Sequence, residues 1–150
     1  MSVALRTDEM LKTAKEFGDA VQEKNLERLQ SCFTDDCEIE IFDIKLRGKT
    51  GVKKWYTWTY SHMKKISFDN VRMIVDGDTL FEEYILNGVI HTGTNMQSRQ
   101  MRSLVFEGGK VKTFRLYMDR LQFADSIAND FASKIIIRKF AQLSVKELLQ

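Results

Sequence analysis

The 150-residue sequence predicts an α+β domain, an antiparallel sheet with helices packed on one face. Three observations predict it. Apolar residues recur at helical spacing through the first third of the chain. Strand-like runs joined by tight turns then follow one another as far as Asp119. Helical spacing returns after that residue. The length suits one domain, and no repeat or low-complexity segment divides it.

Residues 8–24 read as an amphipathic helix. Leu11, Ala14, Phe17, Gly18 and Val21 line one face, and Lys12, Lys15, Glu16 and Glu23 the other. Thr7 or Asp8 can cap it. A short helix follows, with Leu26, Leu29, Cys32 and Phe33 on one stripe, and "TDD" ends it. "CEIEIFD" (Cys37 to Asp43) alternates apolar and acidic residues, the mark of a half-buried strand. "RGKTG" reads as a loop. Val52, Trp55, Tyr56, Thr59 and Met63 restore helical spacing, with Trp58 and His62 beside them.

Four strands come next: "ISFDNVRMIV", "TLFEEYILNGVIH", "MQSRQMRSLVFE" and "VKTFRLYMD". "DGD", "TGTN" and "GGK" turn the chain between them. With no proline anywhere, the loops must turn on Gly, Asn and Asp. Beyond Asp119, Ile127, Phe131, Ile135 and Leu143 predict one long helix, and "SVKE" is a capping box for a short last one.

Composition excludes several functions. With 23 basic and 21 acidic residues, the formal charge is +2, whereas a dedicated nucleic-acid binder carries a strong basic excess. The basic run "KLRGKTGVKK" reads as a solvated loop and helix start. No apolar run is long enough to span a bilayer, and no leader pattern is visible, so a cytoplasmic protein without a membrane partner is expected. Cys32 and Cys37 make no disulfide scaffold, and no Cys/His spacing suits zinc. They read as buried free thiols. There is no Gly-x-Ser-x-Gly elbow and no phosphate-cradling loop.

The order helix, helix, "FTDDCEIEIFD", a loop with "RGKTGV", helix, then hairpins ending in "FEGGKVKTFRLYMD" resembles the nuclear transport factor 2-like superfamily. The likeness covers roughly residues 8–124. Within the superfamily it is similar to the SnoaL-like polyketide cyclase, ketosteroid isomerase and limonene epoxide hydrolase branches. The resemblance implies a cone-shaped, cystatin-like fold. A curved antiparallel sheet wraps the N-terminal helices around one internal pocket, and residues 125–150 form a C-terminal helical extension. It implies a homodimer through the outer sheet face, a small hydrophobic ligand, and no metal or organic cofactor. The scaffold itself hosts many functions.

Asp119 matches the aspartate that the hydrolase and cyclase branches use as a catalytic acid in the pocket. The Arg-x-Asp pair of the hydrolase branch falls on Glu82 and Tyr84, and neither residue type is kept. That departure argues against the standard epoxide-opening triad. The tyrosine and protonated aspartate of the isomerase branch are not clearly reproduced either.

Strand period places Arg115, Tyr117 and Asp119 on one face, Gln100, Arg102 and Leu104 on another, and Glu82, Tyr84 and Leu86 on a third. If all three faces look inward, polar groups converge in an apolar cavity, the normal signature of a small-molecule site. Asp119 and Arg102 are then the candidate catalytic pair. Asp119 beside Arg102 would be a base, and away from any cation a protonated acid. Tyr84 can donate to a developing oxyanion. The resemblance implies that Asp43 sits near the rim, where it is a candidate second carboxyl. Trp55, Glu82, Leu86, Gln100 and Tyr117 complete the lining. Rival readings stay open: Asp119 as a strand end or helix cap, Arg102 and Glu82 as a cross-strand pair, and the tyrosines as core. His62 and His91 read as structural. The function expected is a cofactor-independent isomerase, cyclase or hydrolase. The alternative is a non-catalytic ligand-binding or oligomerisation module.

Overall fold

The computed structural model describes residues 3–149. These residues fall into two units, one ending at Met118 and the other starting at Asp119. The first holds helices α1 (Val3–Gln22), α2 (Leu26–Ser31) and α3 (Gly48–His62). Its strands are β1 (Phe33–Ile41), β2 (Ile44–Arg47), β3 (Met63–Asp76), β4 (Thr79–Ile90), β5 (Asn95–Glu107) and β6 (Lys110–Met118). They form one curved, unclosed sheet in the order β2-β1-β6-β5-β4-β3. All neighbours are antiparallel except β1 and β6, which run parallel. The α+β class and the fold expected from the sequence are thus present.

The core lies between α1 and the concave side of the sheet. Phe17 of α1 has no exposure, and its ring meets Phe33 at 5.6 Å, Phe114 at 5.8 Å and Tyr56 at 6.0 Å. Burying a side chain of this size contributes about 2–3 kcal/mol. Replacing Phe17 by alanine would cost more, because a cavity remains.

Strand β2 was expected as loop. It is a four-residue edge strand, mostly exposed, so it lacks the alternation that marks a half-buried strand. The turn before it is made by Phe42 (φ 53°) and Asp43 (φ 63°). Two positive φ values suit a tight hairpin, but glycine and asparagine are its usual signals. Neither stands there.

Strands β4 and β5 alternate as predicted. Leu80, Glu82, Tyr84, Leu86, Gly88 and Ile90 are buried on β4, and Met96, Ser98, Gln100, Arg102, Leu104 and Phe106 on β5. Strand β6 departs from the expected register. From the "GG" turn the pairs run Glu107 with Lys110 and Phe106 with Val111, but the next pair is Val105 with Thr113. Lys112 is an extra residue, a β-bulge. One extra residue exchanges the two faces of all that follows. Phe114, Leu116 and Met118 therefore look inward, opposite Leu104, Arg102 and Gln100. Arg115 and Tyr117 look outward and are exposed.

The second unit holds α4 (Arg120–Ile127), α5 (Phe131–Ser144) and a final 3₁₀ turn (Lys146–Leu149). The single long helix expected there is broken between Ala128 and Asp130. Asp130 caps α5, accepting from the Ser133 backbone N–H at 2.7 Å. Helix α5 exposes Phe131, Ile135, Ile136, Phe140 and Leu143. Among the described residues no helix is long and apolar enough to cross a membrane.

Candidate functional site

Glu82 and Arg102 are direct cross-strand partners on β4 and β5, and so are Tyr84 and Gln100. This register places four polar side chains side by side on the concave face. Glu82 is 2% exposed, Tyr84 3%, Gln100 4% and Arg102 4%. All four were candidates from the sequence, Arg102 and Tyr84 as catalytic residues and Glu82 and Gln100 as pocket lining, and the fold brings them together.

Arg102 Nε donates to Glu82 Oε2 at 2.6 Å. Its guanidinium carbon lies 4.5 Å from the Phe17 ring centroid, 5.0 Å from Tyr84 and 5.7 Å from Phe68. The cation is thus held by one carboxylate and sandwiched by aromatic faces. The Tyr84 hydroxyl donates to Gln100 Oε1 at 2.9 Å, and Gln100 Nε2 faces Met118 Sδ at 3.9 Å. Burial pushes the Tyr84 phenol up to about 12, with Arg102 pulling the other way. Tyr56 on α3 is raised by burial too, and Arg102 again opposes the shift. Both phenols are therefore neutral donors near neutral pH.

A buried ion pair is an expensive way to hold a fold together. Desolvation of the two charges offsets most of their attraction, and a well-packed apolar pair is often as stable. The cluster is chemically capable of more: a fixed positive charge, a neutral phenol donor, an amide and a carboxylate within one small patch.

Other predicted residues lie elsewhere. Asp119 is exposed and caps α4, its Oδ1 accepting from the backbone N–H of Leu121 at 2.9 Å and Gln122 at 3.3 Å. The expectation of an inward carboxyl fails at this position because of the Lys112 bulge and the helix start. Tyr117 is 59% exposed on the convex face for the same reason. Asp43 is exposed in the β1–β2 turn. Leu86 is buried two residues beyond Tyr84 on β4. Trp55 is half-buried, stacked on Trp58 at 5.1 Å and edge-on to Phe42 at 5.8 Å. The histidines make local contacts: His62 Nδ1 is 2.9 Å from the Trp58 carbonyl and His91 Nε2 3.3 Å from that of Tyr60. Cys32 and Cys37 are buried free thiols, and burial pushes Cys32 up to about 11.

Sequence reasoning missed two contributors. Ser98 continues the inward stripe of β5 before Gln100 and Arg102, and strand parity alone would have found it. The nearness of Tyr56 to Arg102 depends on how α3 packs, and no local pattern encodes that.

Comparison with known proteins agrees with the architecture. The family model described as SnoaL-like domain matches residues 14–114. Among solved structures, a SnoaL-like polyketide cyclase so designated from Jannaschia sp. CCS1 has a TM-score of 0.73 at 13% identity, covering 82% of this chain and 94% of that one. An LEH-like epoxide hydrolase from M. tuberculosis has a TM-score of 0.68 at 15% identity, covering 93% and 97%. A hypothetical protein of ketosteroid isomerase-like fold from Catenulispora acidiphila, in complex with trimethylamine, has a TM-score of 0.70 at 14% identity, covering 77% and 91%. Identities this low carry the fold and not the activity. Among curated proteins no match is found. The concave sheet, its interior polar cluster and the family match over two thirds of the length agree: this chain belongs to the SnoaL-like domain family.

Proposed function

We propose that this protein is a small-molecule pocket protein that acts on a small hydrophobic ligand by acid–base chemistry of the isomerase, cyclase or hydrolase kind. The observation that carries this is the Glu82–Arg102 and Tyr84–Gln100 cluster, buried against Phe17 and Phe68. In this reading Arg102 and Tyr84 stabilise negative charge developing on a ligand oxygen, and Glu82 accepts the proton. Glu82 takes the carboxylate role first expected of Asp119, whose carboxyl caps a helix. The test is hydrogen exchange at the α-carbons of a hydrophobic ketone, 2-decalone, in heavy water. Acceleration by the native protein, lost in Glu82→Gln with folding intact by circular dichroism, is the expected result. No acceleration by the native protein refutes the chemistry.

One observation favours the non-catalytic alternative. Glu82, Tyr84 and Gln100 already have partners within the cluster, as a ligand-holding framework would. Binding of 2-decalone without exchange would select that reading.

We further propose a homodimer through the convex sheet face. Ile74 and Phe81 are cross-strand partners there, as are Met101 and Tyr117, and all four are exposed. Phe81→Glu should halve the solution mass, and an unchanged mass with Phe81→Glu but a halved mass with Ile136→Glu would place the contact on α5 instead. The two unpaired thiols support a reducing compartment.

A further inference from the structure

The sheet ends on one long unpaired edge. In the order β2-β1-β6-β5-β4-β3 the outer strands are β2, of four residues, and β3, of 14. Residues 69–74 of β3 are all exposed, the apolar Val71, Met73 and Ile74 among them. A long edge strand with exposed apolar side chains is a template for a further strand. The Phe68 backbone N–H points away from β4 and donates to Gln22 Oε1 at 3.3 Å, a side chain standing in for a neighbouring strand's carbonyl. Alternate residues along an edge point their backbone groups the same way. Val71 is an extra residue, because Asn70 pairs with Tyr84 and Arg72 with Glu83. Past this bulge the outward set is therefore Met73 and Val75, opposite Glu82 and Leu80.

The charges on this edge name the strand that fits it. Elsewhere on the sheet charges pair across strands: Arg99 with Glu83 at 2.6 Å, Arg115 with Glu40 at 3.3 Å and Lys45 with Glu38 at 3.4 Å. On β3 this stops. Lys65, Arg72 and Asp76 have no ion-pair partner among the described residues, and Asp69 accepts only from the Asn87 amide at 2.7 Å. Arg72 stands opposite Glu83, which Arg99 holds from the other side.

Two copies of β3 laid antiparallel about a twofold axis satisfy these charges in one register. It sets Asp69 opposite Arg72 and Lys65 opposite Asp76, each twice over. Phe68 then faces Met73 and Ile66 faces Val75, which brings outward backbone groups together. The Val71 bulge makes this register possible, since in a regular strand Asp69 and Arg72 would lie on opposite faces. Sliding the strands by two residues either way parts both charge pairs. Charges on an edge deter arbitrary pairing, and here they also select one arrangement. We propose that β3 is a self-complementary edge through which a second copy of this chain continues the sheet. Such a contact is isologous and closes on itself. It is separate from the convex-face homodimer proposed above and can coexist with it.

Hydrogen exchange and charge reversal test it. In the native protein the Met73 and Val75 amides should be protected, although neither bonds to β4. Arg72→Glu sets carboxylates opposite Asp69, and Asp69→Arg sets guanidinium groups opposite Arg72. Either alone should cut the solution mass to half and open both amides to rapid exchange, with cooperative unfolding kept. Combining the two brings opposite charges together again and should restore mass and protection. Phe81→Glu should leave both amides protected, because the convex-face contact does not use them. Rapid exchange at Met73 and Val75 in the native protein, an unchanged mass in Arg72→Glu, or a combined variant no heavier than the single ones each overturns the inference. None of these outcomes bears on the convex-face contact, which Phe81→Glu tests by itself.

Discussion

Arg102 Nε lies 2.6 Å from Glu82 Oε2 on the neighbouring strand, and neither side chain reaches solvent. The two residues face each other because β4 and β5 pair them directly. Removing one partner leaves the other charge buried and alone. We therefore expect Glu82→Gln and Arg102→Met each to destabilise the fold by about 3–5 kcal/mol. The double replacement Glu82→Leu with Arg102→Met should recover much of that loss, because no isolated charge remains. Urea denaturation of the three variants checks this. Additive losses in the double variant would show that the pair is not coupled.

The phenols give a prediction in alkali. Tyrosine titrates near 10 in an unfolded chain. Burial moves Tyr84 and Tyr60 to about 12 in the folded one. The folded state thus holds these protons more tightly than the unfolded state does. Their contribution to stability is complete below pH of about 10 and is lost as pH rises through about 12. We expect the urea midpoint to fall across that window, and phenolate absorbance from these rings to appear together with unfolding. Tyr84→Phe should make the fall shallower. A midpoint that rises in alkali would contradict the assignment.

Much of this fold is written in local pattern. Strands β4 and β5 carry clean alternation, which puts Glu82 with Tyr84 on one face of β4 and Gln100 with Arg102 on one face of β5. What failed was a count. The bulge at Lys112 rests on pairing across strands, which periodicity within β6 does not report. A cue was present even so: Phe114, Leu116 and Met118 are the apolar alternation of that strand, and Arg115, Tyr117 and Asp119 the polar one. The match of Asp119 to the pocket aspartate of the hydrolase and cyclase branches points the opposite way from that simpler pattern. Tyr56 escaped for a different reason, because its nearness to Arg102 is a tertiary fact set by how α3 crosses the sheet.

Asp119 should behave as a cap. Its Oδ1 accepts from the Leu121 and Gln122 backbone N–H groups, satisfying two of the donors that a helix start leaves open. Asp119→Ala should weaken the α4 start by about 1 kcal/mol, and Asp119→Ser should restore most of it. Faster hydrogen exchange at Leu121 and Gln122 is the direct readout. The exchange chemistry proposed for Glu82 should persist in Asp119→Ala. Its loss with α4 still formed would return Asp119 to the catalytic set.

The bulge at Lys112 gives the last prediction. Lys112 has ion-pair partners in Asp36 and Glu107, both well exposed. Exposed pairs are worth little, so Lys112→Ala should change stability little. Deleting the residue removes the bulge and leaves the pairing that follows it unchanged. With Lys112 gone, Thr113 follows Val111, and the pairs Phe106 with Val111, Val105 with Thr113 and Leu104 with Phe114 run on without a break. Leu116 still lies opposite Arg102 and Met118 opposite Gln100, and Phe114 keeps its place in the Phe17 cluster, where its ring sits at 5.8 Å. We expect both variants to keep cooperative unfolding, as urea melts followed by circular dichroism would show. Loss of cooperativity in the deletion alone would mean that the faces of β6 are not set by this bulge, and the inward face assigned to Met118 and Leu116 would fall.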